Sequence, residues 1–164
     1  MNQPNVKMLR IDERLIHGQG QLWLNSLGVN LVIVANDEAA TNPIQQTLMK
    51  TVVSKDIGMR FFSIDKTNEV IFKASPQQTI FVVVKSPEDA LRLVEGGFPI
   101  KEINIGNIHS DQGKQKVSQF IYLGEKDKES LRTLRDKHHI TFNTRTSPMS
   151  NDGEKTAATL NNFL

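Results

Sequence analysis

The stretch IFVVV at residues 80–84 is a continuous run of β-branched and aromatic residues. LVIVA at residues 31–35 is a second continuous apolar run, with three β-branched residues at its centre. A strand that faces water on one side alternates polar and apolar residues, whereas an uninterrupted apolar run is typical of a strand buried on both faces of a parallel sheet. The two runs therefore predict a parallel sheet that is covered by helices on both sides.

Segments with helical signals separate these strands. Asn42-Pro43 predicts the start of one helix and Ser86-Pro87 the start of another, because a polar cap followed by proline suits a helix N-terminus. Asp65 is predicted to cap a third helix. The predicted strands are 6–11, 31–35, 60–64, 80–84, 102–105, 120–123 and 140–143. The predicted helices cover 15–27, 43–52 (with Ile44, Leu48 and Val52 on one face), 65–73, 86–96, 126–138 and 157–164.

This alternation predicts an α/β fold, an open, doubly wound and mainly parallel sheet of about six to seven strands with helices on both faces. We expect residues 1–164 to form a single domain. In such folds the loops at the carboxyl ends of the strands build the site. Those loops are predicted to begin at Asp12, Asn36, Asp65, Lys85, Gly106 and Thr144, and residues 144–153 are predicted to be a mobile loop.

Composition excludes several classes of protein. The 20 basic and 18 acidic residues form no basic stripe, so we predict no nucleic-acid partner. The absence of cysteine rules out disulfides, thiolate nucleophiles and cysteine-based zinc sites. Apolar runs of about five residues are far shorter than the roughly 20 of a membrane span, and the first five residues are too polar for a signal peptide. The absence of cysteine fits a reducing compartment, and any membrane contact would have to be made through a partner.

The loop after the first strand carries the most reactive groups. RIDERLIHGQ at residues 10–19 combines one histidine with two arginines and two carboxylates. The neutral imidazole of His17 is a good nucleophile near pH 7. Arg10 or Arg14 could clamp phosphoryl oxygens, and Asp12 could hold an arginine or fix the imidazole tautomer. We therefore predict that His17 carries a phosphoryl group, although a solvated loop with ordinary ion pairs explains the composition equally well.

The same ten residues resemble the signature of the IIB subunits of the mannose/sorbose family of the bacterial phosphotransferase system (PTS). LVEGG at residues 93–97, INIGN at 103–107 and GKQK at 113–116 also resemble that family. The segments GNIH at 106–109, IQQTLM at 44–49 and RFF at 60–62 are most similar to the N-acetylgalactosamine/galactosamine branch. The resemblance extends along most of the chain.

The resemblance implies an open α/β domain that works in the cytoplasm. It implies that His17 accepts phosphate, usually on Nδ1, from a phosphohistidine of a IIA protein. His17 would then pass the phosphate to a sugar, N-acetylgalactosamine or galactosamine, at the membrane subunits IIC and IID. Arg14 would clamp the phosphate, with Arg10 and Asp12 in support, and no metal or organic cofactor would be needed. A homodimer is left open.

Two other functions remain open at this stage. A regulatory or adaptor module would keep the fold but bind a phosphorylated partner without relaying phosphate. A flavodoxin-like nucleotide binder would carry a bound chromophore or nucleotide, although residues 18–20 lack the third glycine of a dinucleotide fingerprint. His109 could contact a partner, take part in catalysis or bind a metal with Asp111. Trp23 is expected in the core.

Overall fold

The computed structural model describes residues 3–151 and 153–164. Within them the strands are β1 (Asn5–Asp12), β2 (Leu31–Ala35), β3 (Gly58–Phe62), β4 (Thr79–Val84), β5 (Glu102–Asn107), β6 (Gln115–Ser118), β7 (Ile121–Leu123) and β8 (Thr141–Asn143). The helices are α1 (Gly20–Leu27), α2 (Pro43–Lys50), α3 (Ile64–Val70), α4 (Pro87–Glu95), α5 (Glu125–Asp136) and α6 (Gly153–Asn162). None of the helices so described is long and apolar enough to span a bilayer.

Six of these strands form one parallel sheet in the order β3-β2-β4-β1-β5-β8. The prediction of an open, mainly parallel α/β sheet is therefore confirmed. The apolar runs β2 and β4 are neighbours in its middle, where every residue from Ile80 to Val84 is buried. Neither run contains a polar residue because both faces of these two strands are buried.

Side chains of the central strands alternate between two hydrophobic layers. In β4, Val82 and Val84 belong to the layer that α3, α4 and α5 cover, whereas Phe81 and Val83 belong to the layer that α1 and α2 cover. This alternation follows from the two-residue period of a strand. Helices therefore cover both faces of the sheet, as the sequence predicts.

The order of the strands places a crevice between β1 and β5. These two strands are neighbours, but the chain leaves β1 for β2 on one side of the sheet and leaves β5 for β8 on the other. In open α/β sheets, ligands bind at such a switch point, outside the carboxyl ends of the strands. The loops that follow Asp12 and Asn107 lie at this point.

The predicted sixth strand does not belong to the main sheet. Residues 121–123 pair antiparallel with β6, which the sequence analysis missed, and the two form a separate two-stranded ribbon. One isolated bridge, between Ile108 and Ile121, links this ribbon to the loop after β5. The two strands are only four and three residues long. Strands this short contain too few alternating apolar residues for the sequence to predict a hairpin.

Several predicted helix boundaries are wrong. The first helix begins at Gly20, not at residue 15, so His17 lies in a loop. The third helix begins at Ile64 because Ser63, not Asp65, accepts the capping hydrogen bond from Lys66. The last helix begins four residues before the predicted start at Ala157, and α5 ends at Asp136 before the histidine pair. Residues 144–151 have no helix or strand, and position 152 of the predicted loop lies outside the described residues.

The predicted apolar face of α2 is turned largely away from the core. Ile44 is 75% exposed and Leu48 is 63% exposed, whereas Met49 is buried. Asn42 caps this helix as predicted, through a hydrogen bond from the backbone N–H of Gln45. The start of the helix was therefore predicted correctly, but the helix is rotated relative to the face that the spacing suggested.

Candidate functional site

The imidazole of His17 lies at the carboxyl end of β1, the strand next to the crevice. Its Nε2 atom is 3.2 Å from Oδ2 of Asp12, the last residue of that strand. About a fifth of the His17 side chain is exposed, whereas the Asp12 side chain is fully buried. The ring is therefore anchored at one nitrogen and remains partly accessible.

Asp12 is ionised in this arrangement. Burial alone would raise the pKa of its carboxyl group, but hydrogen bonds from His17, from the Arg14 side chain and from the Arg14 backbone, together with the charge of Arg10, outweigh that effect. The pKa of Asp12 is therefore held well below its usual range. Because an ionised carboxylate can only accept hydrogen bonds, this contact favours the neutral tautomer of His17 that has its proton on Nε2 and its lone pair on Nδ1.

Arg10 holds Asp12 from inside the protein. Its side chain is almost fully buried, with Nη2 3.4 Å from Oδ2 of Asp12 and Nη1 donating to the side-chain oxygen of Asn104. Burial lowers the pKa of Arg10 and the ion pair with Asp12 opposes that shift. Arg10 therefore has its donors directed at protein acceptors, which suits a supporting role better than contact with a ligand.

Arg14 is the more accessible of the two guanidinium groups. Its Nε and Nη2 atoms lie 3.2 and 3.3 Å from the two oxygens of Asp12, and a third of its side chain is exposed. Two donors of a planar guanidinium are thus fixed by one carboxylate. Arg14 also lines an open cleft of about 190 Å³. The cleft is lined in part by Leu48 and Lys85. Arg14 is therefore oriented to bind an anion close to His17.

The loop between Asp12 and His17 is held in an uncommon conformation. Leu15 has a φ of 57°, in the left-handed region that residues with a side chain seldom adopt. Its backbone N–H donates to the carbonyl of Asp12, and its side chain is buried. Gly18, which follows His17, has no positive φ. The turn that presents His17 is therefore made at Leu15.

Trp23 of α1 lies between two arginines. Its ring is buried, as predicted, with Cζ of Arg10 5.9 Å and Cζ of Arg145 5.6 Å from the ring centroid. Cation–π attraction favours both contacts. The backbone carbonyl of Arg145 also accepts from Nη1 of Arg10 at 3.5 Å and from the side chain of Asn104 at 3.1 Å. These hydrogen bonds connect the segment after β8 to Arg10 and Asn104, which lie beneath Asp12.

All four residues predicted for the site, His17, Arg14, Arg10 and Asp12, are brought together by these contacts. Sequence reasoning missed Asn104, Arg145 and Gly106. A Cβ at Gly106 would overlap the guanidinium of Arg10. The position of Gly106 at the end of a strand gave a signal for proximity to the site, but nothing in the sequence indicated that its missing side chain makes room for an arginine.

His109 lies in the loop after β5 and does not join Asp111 in a metal site. Its Nδ1 atom is 3.0 Å from Oε2 of Glu13, while Asp111 accepts from the backbone of Gln112. Within residues 3–151 and 153–164, no group of three histidine, cysteine, aspartate or glutamate residues is placed to hold a metal ion. His109 is thus tied to the His17 loop through Glu13.

Comparison with known families gives a match along nearly the whole chain. The family described as "PTS system sorbose subfamily IIB component" matches residues 6–161. This match covers β1, the His17 loop and every strand of the main sheet. The resemblance seen in the sequence is confirmed.

Individual proteins agree with this match. The N-acetylgalactosamine-specific phosphotransferase enzyme IIB component 1 of Escherichia coli is 42% identical over 139 residues, which are 84% of this chain and 88% of that protein. A crystal structure of a PTS-dependent N-acetylgalactosamine IIB component from Streptococcus pyogenes is 58% identical and superposes with a TM-score of 0.90 over 93% of this chain and 94% of that one. The crystal structure of the E. coli IIB component 1 superposes with a TM-score of 0.84 at 37% identity, over 90% of this chain and 97% of that one.

Proposed function

The chain belongs to the sorbose-subfamily IIB components of the phosphotransferase system, and on that basis we propose that His17 is the residue that carries its phosphoryl group. IIB components are sugar-specific phosphocarriers that act as phosphotransferases. The observation that carries the proposal is the contact between Nε2 of His17 and the ionised Asp12. We treat residues 1–164 as one IIB domain, as the sequence predicts.

The proposed nucleophile is Nδ1 of His17. Because Asp12 accepts the proton-bearing Nε2, the lone pair resides on Nδ1, the nitrogen that the family resemblance also implies. Once Nδ1 is phosphorylated, the ring gains positive charge, and the adjacent carboxylate stabilises that charge. Asp12 therefore serves both the free and the phosphorylated ring.

In the proposed reaction, the lone pair of Nδ1 attacks the phosphorus of a phosphohistidine on a IIA protein. The P–N bond of the donor breaks, and the donor imidazole keeps the electron pair. In the second step a sugar hydroxyl attacks the same phosphorus, the bond to Nδ1 breaks and the hydroxyl proton is released. In both steps the phosphoryl group leaves a histidine, on which it already has a high transfer potential, so the proposal requires no metal or organic cofactor.

Arg14 is the proposed phosphate clamp. Asp12 fixes two of its donors, and Nη2 of Arg14 and Nε2 of His17 contact the same oxygen of Asp12, so a partly exposed guanidinium lies near the ring and can bind the equatorial oxygens of the transferred group. Arg10 is too buried for that contact and instead holds Asp12 in place. Positive charge next to a transferring phosphoryl group stabilises its transition state.

The proposed sugar is N-acetylgalactosamine or galactosamine. The names of the relatives above from E. coli and S. pyogenes support N-acetylgalactosamine, and the sequence resemblance to the N-acetylgalactosamine/galactosamine branch adds galactosamine. We further propose that the chain works in the cytoplasm, with a IIA protein as donor and the membrane subunits IIC and IID as the place where the sugar receives the phosphate. Contact with those subunits would hold it at the membrane, and a homodimer remains open.

Intact mass spectrometry tests the relay. The protein is incubated with phosphoenolpyruvate, the two general phosphotransferase proteins and the cognate IIA protein. We expect a gain of one acid-labile phosphate, which His17→Gln abolishes, whereas His139→Gln, in the turn after α5, retains it. A wild-type protein that binds phosphorylated IIA but gains no mass would support the adaptor function instead.

The sugar is tested separately. Membrane vesicles that contain IIC and IID receive the phosphorylated protein and one of four labelled sugars: N-acetylgalactosamine, galactosamine, mannose or sorbose. Loss of the phosphate from the protein and its appearance on either amino sugar supports the assignment. Equal transfer to mannose or sorbose contradicts it without affecting the role of His17.

A further inference from the structure

The carboxylate of Glu13 joins the His17 loop to the loop after β5. Its Oε2 atom lies 3.0 Å from Nδ1 of His109, and its Oε1 atom lies 3.4 Å from Nζ of Lys114. The backbone N–H of Glu13 also donates to the carbonyl of Asn107 at 3.0 Å. The backbone and the side chain of Glu13 are therefore both held by the end of β5 and the loop that follows it.

The far side of this connection is itself fixed. Lys114 lies 3.5 Å from Oδ2 of Asp127, and that carboxylate accepts the backbone N–H of Gly124 at the start of α5. The side chains of Glu13, Lys114 and Asp127 are each a quarter exposed or less. The contact between Glu13 and Lys114 therefore differs from a pair of freely solvated surface charges, which would contribute little. The side chain of His109 is 53% exposed, so its contact with Glu13 is the more solvated of the two.

The His17 loop has an unfavourable backbone conformation that its surroundings must stabilise. Leu15, midway between Glu13 and His17, is held at a φ of 57°. The left-handed backbone conformation costs a residue other than glycine about 1–3 kcal/mol of free energy, so it persists only where surrounding contacts stabilise it. The buried side chain of Leu15 fixes the centre of the loop, and the contacts of Glu13 fix its first residue.

We propose that Glu13 and His109 form a positioning pair, which holds the loop in the conformation that places Arg14 and His17 around the transferred phosphoryl group. Neither residue contacts that group. The inference rests on the proposed function and deepens it, because it assigns to His109 a role in the alignment of the reactive loop. The pair acts through Arg14 and His17, which flank Leu15 on the same loop.

Phosphoramidate is a small phosphoryl donor that can react with His17 without the IIA protein. Its rate therefore reports the alignment of Arg14 and His17 independently of the binding of IIA. Its P–N bond breaks as Nδ1 attacks, and the released nitrogen leaves as ammonia. We expect Glu13→Ala and His109→Ala each to lower the rate of phosphorylation by this donor about fivefold, the scale of one partly exposed charged hydrogen bond. The double variant should be no slower than Glu13→Ala, because that substitution alone already removes the contact with His109. His109→Gln, which keeps a side-chain donor, should recover most of the rate.

With phosphorylated IIA as donor, the same variants should lower kcat and leave KM unchanged. Glu69→Ala is the control, because it removes an ion pair with Lys66 on the exposed face of α3, and its rates should match the wild type. Wild-type rates with phosphoramidate in both alanine variants, or a change confined to KM for phosphorylated IIA, would overturn the inference. A wild-type protein that takes phosphate from neither donor would overturn the proposed function as well.

Discussion

Nε2 of His17 and Oδ2 of Asp12 lie 3.2 Å apart at the end of the strand beside the crevice. This contact sets both the tautomer of the ring and the charge beside it, so replacement of the carboxylate should impair transfer. We expect Asp12→Asn to slow the phosphorylation of His17 about 10²-fold, the lower end of the effect of one lost electrostatic group. The rate with phosphoramidate measures this. Asp136→Asn, on the exposed end of α5, is the control, and an equal loss in both variants would contradict the role of Asp12.

The same carboxylate should make stability depend on pH. The folded pKa of Asp12 lies below the value of about 3.9 that aspartate has in unfolded chains. Its contribution to the free energy of unfolding is therefore fully present above about pH 4 and is lost as the pH falls towards the folded pKa. Urea unfolding of the wild type and Asp12→Asn should give a constant difference from pH 5 to 7 and a smaller one at pH 3. A difference that does not change at pH 3 would contradict the ionised state.

Arg14 should matter more for transfer than for folding. A third of its side chain is exposed, and its side-chain hydrogen bonds both go to Asp12. Arg14→Ala should slow phosphorylation about 10²–10³-fold, because one charged donor to the phosphoryl group is lost, and should lower the thermal midpoint only modestly, because Asp12 keeps its contacts with His17, Arg10 and the backbone N–H of residue 14. Arg14→Lys should recover only part of the rate, since an ammonium group lacks the bidentate geometry. A normal rate in Arg14→Ala would reject the clamp.

The accuracy of sequence reasoning differs between the sheet and the site. The apolar runs of β2 and β4 predicted a buried parallel sheet because burial on both faces excludes polar residues from a strand. The RIDERLIHGQ segment pointed to the reactive loop because its charged groups follow directly on a strand. Both inferences rest on neighbours in sequence, which a pattern can reveal.

Contacts between distant segments gave no such signal. Asn104, from β5, and the carbonyl of Arg145 complete the surroundings of Arg10 only after β1, β5 and β8 have assembled. The left-handed residue of the reactive loop is Leu15, because packing of its side chain, not local preference, decides the conformation. The spacing of apolar residues in α2 likewise identified a helix but not the direction in which it faces.

Stability measurements test the central position of β4 and the direction in which α2 faces. Val83 is fully buried in β4, so Val83→Asp places a charge in the core without a partner and should prevent folding. Leu48→Ser and Ile44→Ser remove side chains that are mostly in water, and each should change the free energy of unfolding by no more than about 0.5 kcal/mol. Circular dichroism during thermal unfolding distinguishes the variants. A cooperative, wild-type transition in Val83→Asp would contradict the central position of β4.

Gly106 should tolerate no side chain, because the guanidinium of Arg10 occupies the space where a Cβ would lie. An arginine at the surface would swing aside at little cost, but this one is buried and hydrogen-bonded to Asp12 and Asn104. Gly106→Ala should therefore displace Arg10 from Asp12, lower stability and slow the phosphorylation of His17. Trp23 is the single tryptophan of the chain and contacts Arg10, so its fluorescence should report the displacement.

Gly20→Ala is the matched control for that change. A Cβ at Gly20 meets no atom within 4 Å, and the residue begins α1, where alanine is favoured over glycine by about 1 kcal/mol. We expect this variant to be at least as stable as the wild type, with unchanged fluorescence and transfer. If Gly106→Ala behaves in the same way, then Arg10 can leave Asp12 without consequence, and its role in holding that carboxylate is wrong. If Gly106→Ala loses activity with unchanged fluorescence, the loss arises elsewhere than at the contact between Arg10 and Trp23.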